Sequence, residues 1–342
     1  MTSLAAIILA AGKGTRMKSA RAKVTFPIAG KPMIQRVVDS ATRIDCTSIY
    51  IVVGYQKDNV IACVQEDQRV EFVEQTEQLG TGHAVMMVEP VFTNLDQDVL
   101  ILCGDVPLLS HETLSKMHLE HLANDAACTV LTAFLDDAGK YGRILRDSDR
   151  KITGIVEYKD ASEEQLAIQE WNTGVYCFRA RDLFDALKQV RNDNQQNEFY
   201  LTDVISILHR QGRTICTVVL ENLIEVSGIN SQEQLAELED MFIAKIRKHW
   251  LNNGVVIHNP VTVTIGDDVV IERDVEIGQN TIIKGKSLIH SGSSIGPNSY
   301  IEDSFLGDNC FLEGHNILIN AHIPEAHILR FGEKVSEDSD YE

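Results

Sequence analysis

Two periodicities in one chain predict an α/β layered domain with a mainly parallel central sheet, followed by a short triangular parallel β-helix. Over residues 1–228, short β-rich apolar runs alternate with amphipathic stretches, the pattern of strands joined by crossover helices. Beyond residue 254, isoleucine recurs at 265, 271, 277, 283, 289, 295 and 301, a strict interval of six. An α-helix would scatter every sixth residue around its circumference, whereas short strands joined by tight corners aim them all inward.

The elements follow in order. Ala5–Leu9, Ser48–Val53, Val99–Cys103, Ala127–Phe134 and Val175–Phe178 read as strands, and Met33–Ala41, His111–Ala123, Asp182–Val190 and Asp203–Arg210 as helices. In such sheets ligands bind beyond the carboxyl ends of the strands. Residues 229–253 read as a linker helix, opened near Ser231, striped by Leu235, Leu238, Met241, Phe242, Ile243 and Ile246, and closed by Asn252-Asn253-Gly254. The β-helix is expected over 254–322, with Val263, Val269, Val275, Thr281, Ser287, Ser293 and Ser299 two positions before each isoleucine. After Ile301 the register slips by one, and Leu306, Leu312 and Leu318 carry the column on, for three to four coils. Residues 323–342, ending in the acidic run Ser336 to Glu342, are expected to form a disordered tail.

The 342 residues suffice for two domains. A formal charge of −19 argues against a nucleic-acid groove or an anionic membrane surface as partner. No apolar run reaches the roughly 18 residues that span a bilayer, and the apolar N-terminal run reads as a buried strand, not a signal peptide. Seven scattered cysteines without a C-x-x-C pair favour reduced thiols in a cytoplasm over disulfides or zinc.

Leu9-Ala10-Ala11-Gly12-Lys13-Gly14-Thr15-Arg16-Met17 follows the first strand. Its glycines allow close backbone turns with N–H groups free for phosphate oxygens, and Lys13 and Arg16 add charge. It is neither a G-x-x-x-x-G-K-[ST] loop nor a dinucleotide G-x-G-x-x-G, because Met17 stands at the last glycine position. By spacing alone, a phosphate cradle and a plain strand-to-helix turn both fit. Asp105, after the strand Val99–Cys103, fits a turn or a cation ligand, and Asn230 fits a helix cap or a ligand.

The nonapeptide, with Lys23-Val24 and Gly30-Lys31-Pro32-Met33, resembles the sugar-1-phosphate nucleotidyltransferases. The segments 75–84 (QTEQLGTGHA), 104–108 (GDVPL), 141–144 (YGRI), 154–161 (GIVEYKDA), 172–174 (NTG) and 225–230 (EVSGIN) narrow the resemblance to N-acetylglucosamine-1-phosphate uridyltransferases. The hexapeptide repeat extends it to left-handed β-helices, which commonly trimerise. The resemblance implies a Rossmann-like nucleotidyltransferase domain that transfers UMP from UTP to N-acetylglucosamine 1-phosphate and releases pyrophosphate. It implies Mg²⁺ held by Asp105 and Asn230, and phosphates neutralised by Arg16 and Lys23. Leu9, Ala10, Ala11, Gly12, Gly14, Gln75, Gly80, Thr81, Cys103, Gly104 and Asp105 match nucleotide-binding positions; Gly142, Glu157, Asn172 and Asn230 match sugar-binding ones. Two positions depart from the family pattern: Cys103 where tyrosine is frequent, and Ala22 where proline precedes Lys-Val. In bifunctional relatives the β-helix continues into an acetyltransferase, so this chain is expected to lack that activity, with His258, His290, His315 and His322 as surface or corner residues. A glucose 1-phosphate transferase using UTP or dTTP, a non-catalytic subunit and an acyl-CoA transferase are the rival readings.

Overall fold

In the computed structural model, which describes residues 3–336, the apolar run Leu4–Leu9 becomes β1 in the interior of a nine-stranded sheet. The others are β2 (Ser48–Val53), β3 (Val70–Glu74), β4 (Asp98–Cys103), β5 (Cys128–Phe134), β6 (Arg143–Arg146), β7 (Ile152–Val156), β8 (Glu170–Arg179) and β9 (Ile215–Val219). Their order is β9-β5-β8-β4-β1-β2-β3, with β6 attached to β8 and β7 to β6. β1 pairs in parallel with β2 and β4, β2 with β3, and β9 with β5. The strand read at Val175–Phe178 is longer than expected and runs antiparallel to both of its neighbours in the main order, β4 and β5.

Alternation along β1 sends Leu4, Ala6 and Ile8 to one face and Ala5 and Ile7 to the other, and both faces are covered. Ile34 and Val37 of α1 (Met33–Arg43) and Leu114 and Met117 of the helix His111–Ala123 cover the first. Ala84 and Val85 of α2 (Thr81–Met86) cover the second, with Leu183 and Phe184 of the helix Ala180–Leu187 and Val204 and Ile205 of the helix Asp203–Arg210. In chain order these last three long helices are α3, α4 and α5. α3 is tied to the sheet by a buried ion cluster: His118 Nε2–H donates to Asp98 Oδ2 at 3.0 Å, and His121 lies 3.5 Å from Oδ1. Burial alone would raise the Asp98 carboxyl, but the histidine hydrogen bonds outweigh it and hold the group well below the carboxylate range.

The second unit comprises Pro27–Lys31 and the chain from Glu233 onward. Its helix α6 (Gln232–Asn252) buries Leu235, Leu238 and Ile243, while Met241, 100° round the helix from Phe242, is 51% exposed. Arg247 donates to the carbonyls of Pro260 and Val263 at 2.8 and 3.2 Å, and Ile246 and Trp250 pack on the β-helix core. In the segment Pro27–Lys31, Ala29 N–H donates to Glu239 at 2.8 Å and Lys31 pairs with Asp268 at 2.6 Å.

The left-handed parallel β-helix consists of three parallel sheets of five, five and four short strands. All seven isoleucines of the six-residue column are buried, as are Leu306, Leu312 and Leu318. The hydroxyls in the second column are satisfied locally, Ser293 donating to Gly307 O at 2.9 Å and Ser299 to Gly296 O at 2.7 Å. Corners turn at left-handed residues such as Asn280, Gly292, Asn298, Asn309 and Asn320, types that tolerate positive φ. The expected boundary at 322 is corrected. Ile323, Leu329 and Val335 are buried in strands that continue to Ser336, so the segment 323–336 belongs to the β-helix. A second five-residue step, from Leu318 to Ile323, moves the column by one and hides it from a six-residue count. The remaining part of the expected tail, 337–342, lies outside the described residues.

Two outcomes follow. Ile295→Ala, at a position 1% exposed, costs about 3 kcal/mol of stability in denaturant titration. Asp98→Ala, which strips the partner from two histidines, costs about 3–5 kcal/mol by the same measurement.

Candidate active site

Parallel strands deliver their loops to one edge of the sheet, and the first of these is the glycine loop. Ala10 N–H donates to Val52 O (2.9 Å) and Ala11 O accepts from Tyr55 N–H (3.2 Å), holding 9–11 against the end of β2. Beyond them Gly12 is exposed with open space where a Cβ would point. Gly14 has φ +60°, and a Cβ there would lie 2.6 Å from Lys23 Cβ, so glycine is what lets Lys23 pack beside the loop. Met17, 1% exposed, anchors the following turn and leaves Lys13 and Arg16 in solvent.

The end of β4 supplies the second loop. Gly104 N–H donates to Leu9 O at 3.0 Å, locking the two loops together. Next to it Lys23 Nζ donates to Asp105 Oδ2 and, at 3.1 Å, to Asn230 Oδ1. Arg16 Nη2 donates to the same Asn230 oxygen at 2.7 Å. Ile229 N–H donates to Asp105 O at 3.1 Å. One carboxylate and one amide oxygen thus converge on cationic groups.

The third loop leaves β3. Gln75, 3% exposed, donates through Nε2 to Gly80 O (3.1 Å) and lies 3.0 Å from His83 Nδ1, so its amide orientation is set. Gly80 has φ +109°, and a Cβ would meet Phe199 O at 2.6 Å; no other residue fits. Gly82 N–H donates to Phe199 O at 2.7 Å and Thr81 Oγ1 accepts from Leu201 N–H at 3.2 Å.

Because β8 runs against its neighbours in the main order, its amino end reaches the edge where the parallel strands end. Asn172 N–H donates to Gly142 O at 2.9 Å, and a Cβ on Gly142 would sit 3.5 Å from Glu157 Oε2. Gly142, Glu157 and Asn172 are therefore neighbours. Asn172 is 9% exposed, its Nδ2 donating to Tyr176 (2.7 Å) and its Oδ1 accepting from Gly174 N–H (3.2 Å). Glu157 accepts from Thr202 Oγ1 at 3.1 Å, and burial raises its carboxyl above the ordinary value despite that bond. A cleft of about 830 Å³ opens beside it, lined also by Asp160, Asn194, Tyr200, Asp203 and Arg210. Cys103 lies against Gly174 (Sγ to O 3.5 Å) with its thiol pushed up to about 12 by burial, a neutral spacer between the two halves. Asn230, matched to both sugar and metal positions, accepts through Oδ1 from Arg16 and Lys23, and its Nδ2 donates to Gly228 O at 3.3 Å.

Two residues of the Y-G-R segment were given no role from sequence. Arg143, 2% exposed, donates to the carbonyls of Ala138 (3.4 Å), Gly139 (3.0 Å), Tyr141 and Leu166 (3.4 Å), and so shapes the loop that carries Gly142. Tyr141 packs its ring 4.1 Å from that of Trp171, and its phenol is raised by burial and by nearby Asp105. Their sequence signal was adjacency to Gly142.

In the β-helix, His258 pairs with Glu276 (2.5 Å) and His290 with Glu272 (3.3 Å), while His322 stacks on Phe305 and His315 lies beside Phe331. Glu272, His290 and Asp308, one per coil, bring ligand atoms within 4.8 Å at the surface, but Glu272 is already engaged by Ser291.

The model for the MobA-like NTP transferase domain matches residues 6–210. The chain is 46% identical to the bifunctional protein GlmU of Exiguobacterium sibiricum over 303 residues, 89% of this chain and 67% of that protein. It is 42% identical to GlmU of a Geobacillus species over 330 residues, 94% of this chain and 71% of that one. Among solved structures, a UDP-glucose pyrophosphorylase complexed with UDP-glucose superposes with a TM-score of 0.56 at 22% identity, covering 72% of this chain and all of that one, a likeness of fold. With nucleotidyltransferase loops gathered at one sheet edge and a hexapeptide β-helix after them, the chain belongs to the GlmU family of nucleotidyltransferases.

Proposed function

We propose that the chain transfers UMP from UTP to N-acetyl-α-D-glucosamine 1-phosphate, giving UDP-N-acetylglucosamine and pyrophosphate. The observation that carries this is the convergence of Lys23, Arg16, Asp105 and Asn230 beside the glycine loop. The sugar phosphate attacks the α-phosphorus in line. Its oxygen is already anionic, so no general base is required, and catalysis reduces to positioning and charge neutralisation. Arg16 and Lys23 neutralise phosphate oxygens of the two substrates, while 9–12, Gly14 and 103–105 line the nucleotide. Gln75, Gly80 and Thr81 face the base; the fixed amide of Gln75 and the backbone around Gly80 suit an imide edge. Glu157 accepts from sugar hydroxyls, with Gly142 and Asn172 beside it.

Asp105 and Asn230 fit a divalent cation such as Mg²⁺: both offer hard oxygens, and both already face one positive group, the Lys23 ammonium. Held there, the metal would add charge neutralisation on the phosphates. The β-helix histidines have partners of their own and take no part in the proposed reaction. Exposed Val256, Phe311 and Ile328 share one β-helix sheet, which supports a homo-oligomer, with a trimer favoured. No helix among the described residues is long and apolar enough to cross a membrane; with seven free cysteines, a cytoplasmic location fits.

A panel of sugar 1-phosphates and nucleoside triphosphates assayed for pyrophosphate release should select N-acetylglucosamine 1-phosphate with UTP. Preference for glucose 1-phosphate or dTTP would replace that assignment, and thiol release from acetyl-CoA would add a second activity to it. Asp105→Ala should lower kcat by about 100-fold or more with the melting temperature held; near-normal turnover would remove Asp105 from the machinery. Glu157→Gln separates binding from stability. A carboxyl raised by burial contributes stability below its unfolded pKa and loses it as pH rises through the folded one. The glutamine variant should therefore melt higher than the parent at about pH 8 and no higher at about pH 4, while losing affinity for the sugar phosphate. A uniform offset at both pH values would contradict the burial cost.

A further inference from the structure

We infer that Glu225 is a positioning residue, setting the separation of Asn230 from Asp105 by tying the loop 222–230 to the start of α3. The inference rests on the reading of Asp105 and Asn230 as the cation-holding pair.

Asp105 and α3 belong to one continuous segment: β4 ends at Cys103, Asp105 follows, and Ser110 caps α3, accepting from Thr113 N–H at 3.2 Å. Asn230 comes from the far end of the domain's chain and has no sequence neighbour there. Two attachments bring it in. At one end of the loop, Glu225 Oε2 accepts from Ser110 N–H (3.0 Å), Ser110 Oγ (2.7 Å) and Thr113 Oγ1 (2.7 Å). At the other, Ile229 N–H donates to Asp105 O at 3.1 Å. Between them Val226 and Ile229 are each 1% exposed, and Ser227 Oγ donates to Leu223 O at 2.9 Å, so the span has little freedom. Asn222 closes the far carboxylate oxygen at 3.3 Å.

A carboxylate at the amino end of a thirteen-residue helix is favoured by the unpaired N–H groups and the helix dipole. Burial would raise the Glu225 carboxyl, but these hydrogen bonds outweigh it and keep the group ionised. Loop 222–230 is thus referenced to the element that carries Asp105. Residues that orient a metal ligand without touching the ion commonly change metal affinity by about 10–100-fold when removed.

The test compares Glu225→Ala, Glu225→Gln, Asn230→Ala and the double variant Glu225→Ala/Asn230→Ala. Mn²⁺ binding to the protein–UTP complex is followed by water-proton relaxation, beside melting temperature and turnover against Mn²⁺. Glu225→Ala should weaken Mn²⁺ binding about tenfold, Glu225→Gln should do so less, and the double variant should be no worse than Asn230→Ala alone. Full multiplication of the two effects, or a fall in melting temperature with Mn²⁺ binding unchanged, overturns the proposal while the cation pair stands. Unchanged Mn²⁺ binding in Asn230→Ala overturns the cation pair and the proposal with it. Thr113→Val removes one donor at a half-exposed position and should shift Mn²⁺ binding in the same direction; it decides the matter if Glu225→Ala does not fold, an unchanged affinity counting against the proposal.

Discussion

Parallel strands place all their carboxyl ends on one edge of a sheet, and everything the first unit gathers depends on that constraint. The loops after β1, β3 and β4 open together there: the glycine loop, Gln75 with Gly80, and Gly104 with Asp105. Two later strand reversals complete the set. The antiparallel run of β8 turns its amino end to the same edge, which is why Asn172 meets Gly142, and the antiparallel pairing of β7 with β6 sets Glu157 beside Gly142. A parallel β8 would have sent Asn172 to the opposite edge.

The net charge sets what the few cations beside the glycine loop would have to do. In a chain of net charge −19, a polyanionic nucleotide is not drawn in by the protein at large. Under the proposed reaction it must be met by a local field, which Lys23, Arg16 and Lys13 would supply beside backbone N–H groups. Asp105 and Asn230 hold Lys23 and Arg16 in position. The nearby thiol of Cys103 stays neutral and adds no competing charge.

The β-helix shows how far a periodic reading carries and where it stops. The six-residue column was legible because each inward residue repeats a local rule, and its first slip at Leu306 was followed correctly. The second slip, at Ile323, was not: three further inward residues, Ile323, Leu329 and Val335, are spaced like the rest once one corner is shortened. A count of six loses phase at each such corner, and only strand pairing restores it. In the first unit, strands at Val70–Glu74, Arg143–Arg146, Ile152–Val156 and Ile215–Val219 were missed because each is short and partly exposed, with too few periods to register.

By itself the sequence determined the fold class, the order of most elements, the inward column and the residue types of the candidate site. These are local matters: burial periodicity, glycine where φ must be positive, and motifs a few residues long. Tertiary structure decided the direction of β8, the partners of Lys23 and Arg16 more than 200 residues away, and the buried Arg143 that shapes its loop with carbonyls alone. It also decided that Glu225, legible only as one letter of a motif, reaches the cap of α3. Such pairings depend on which chain segments a sheet brings side by side, and no spacing along the chain encodes that.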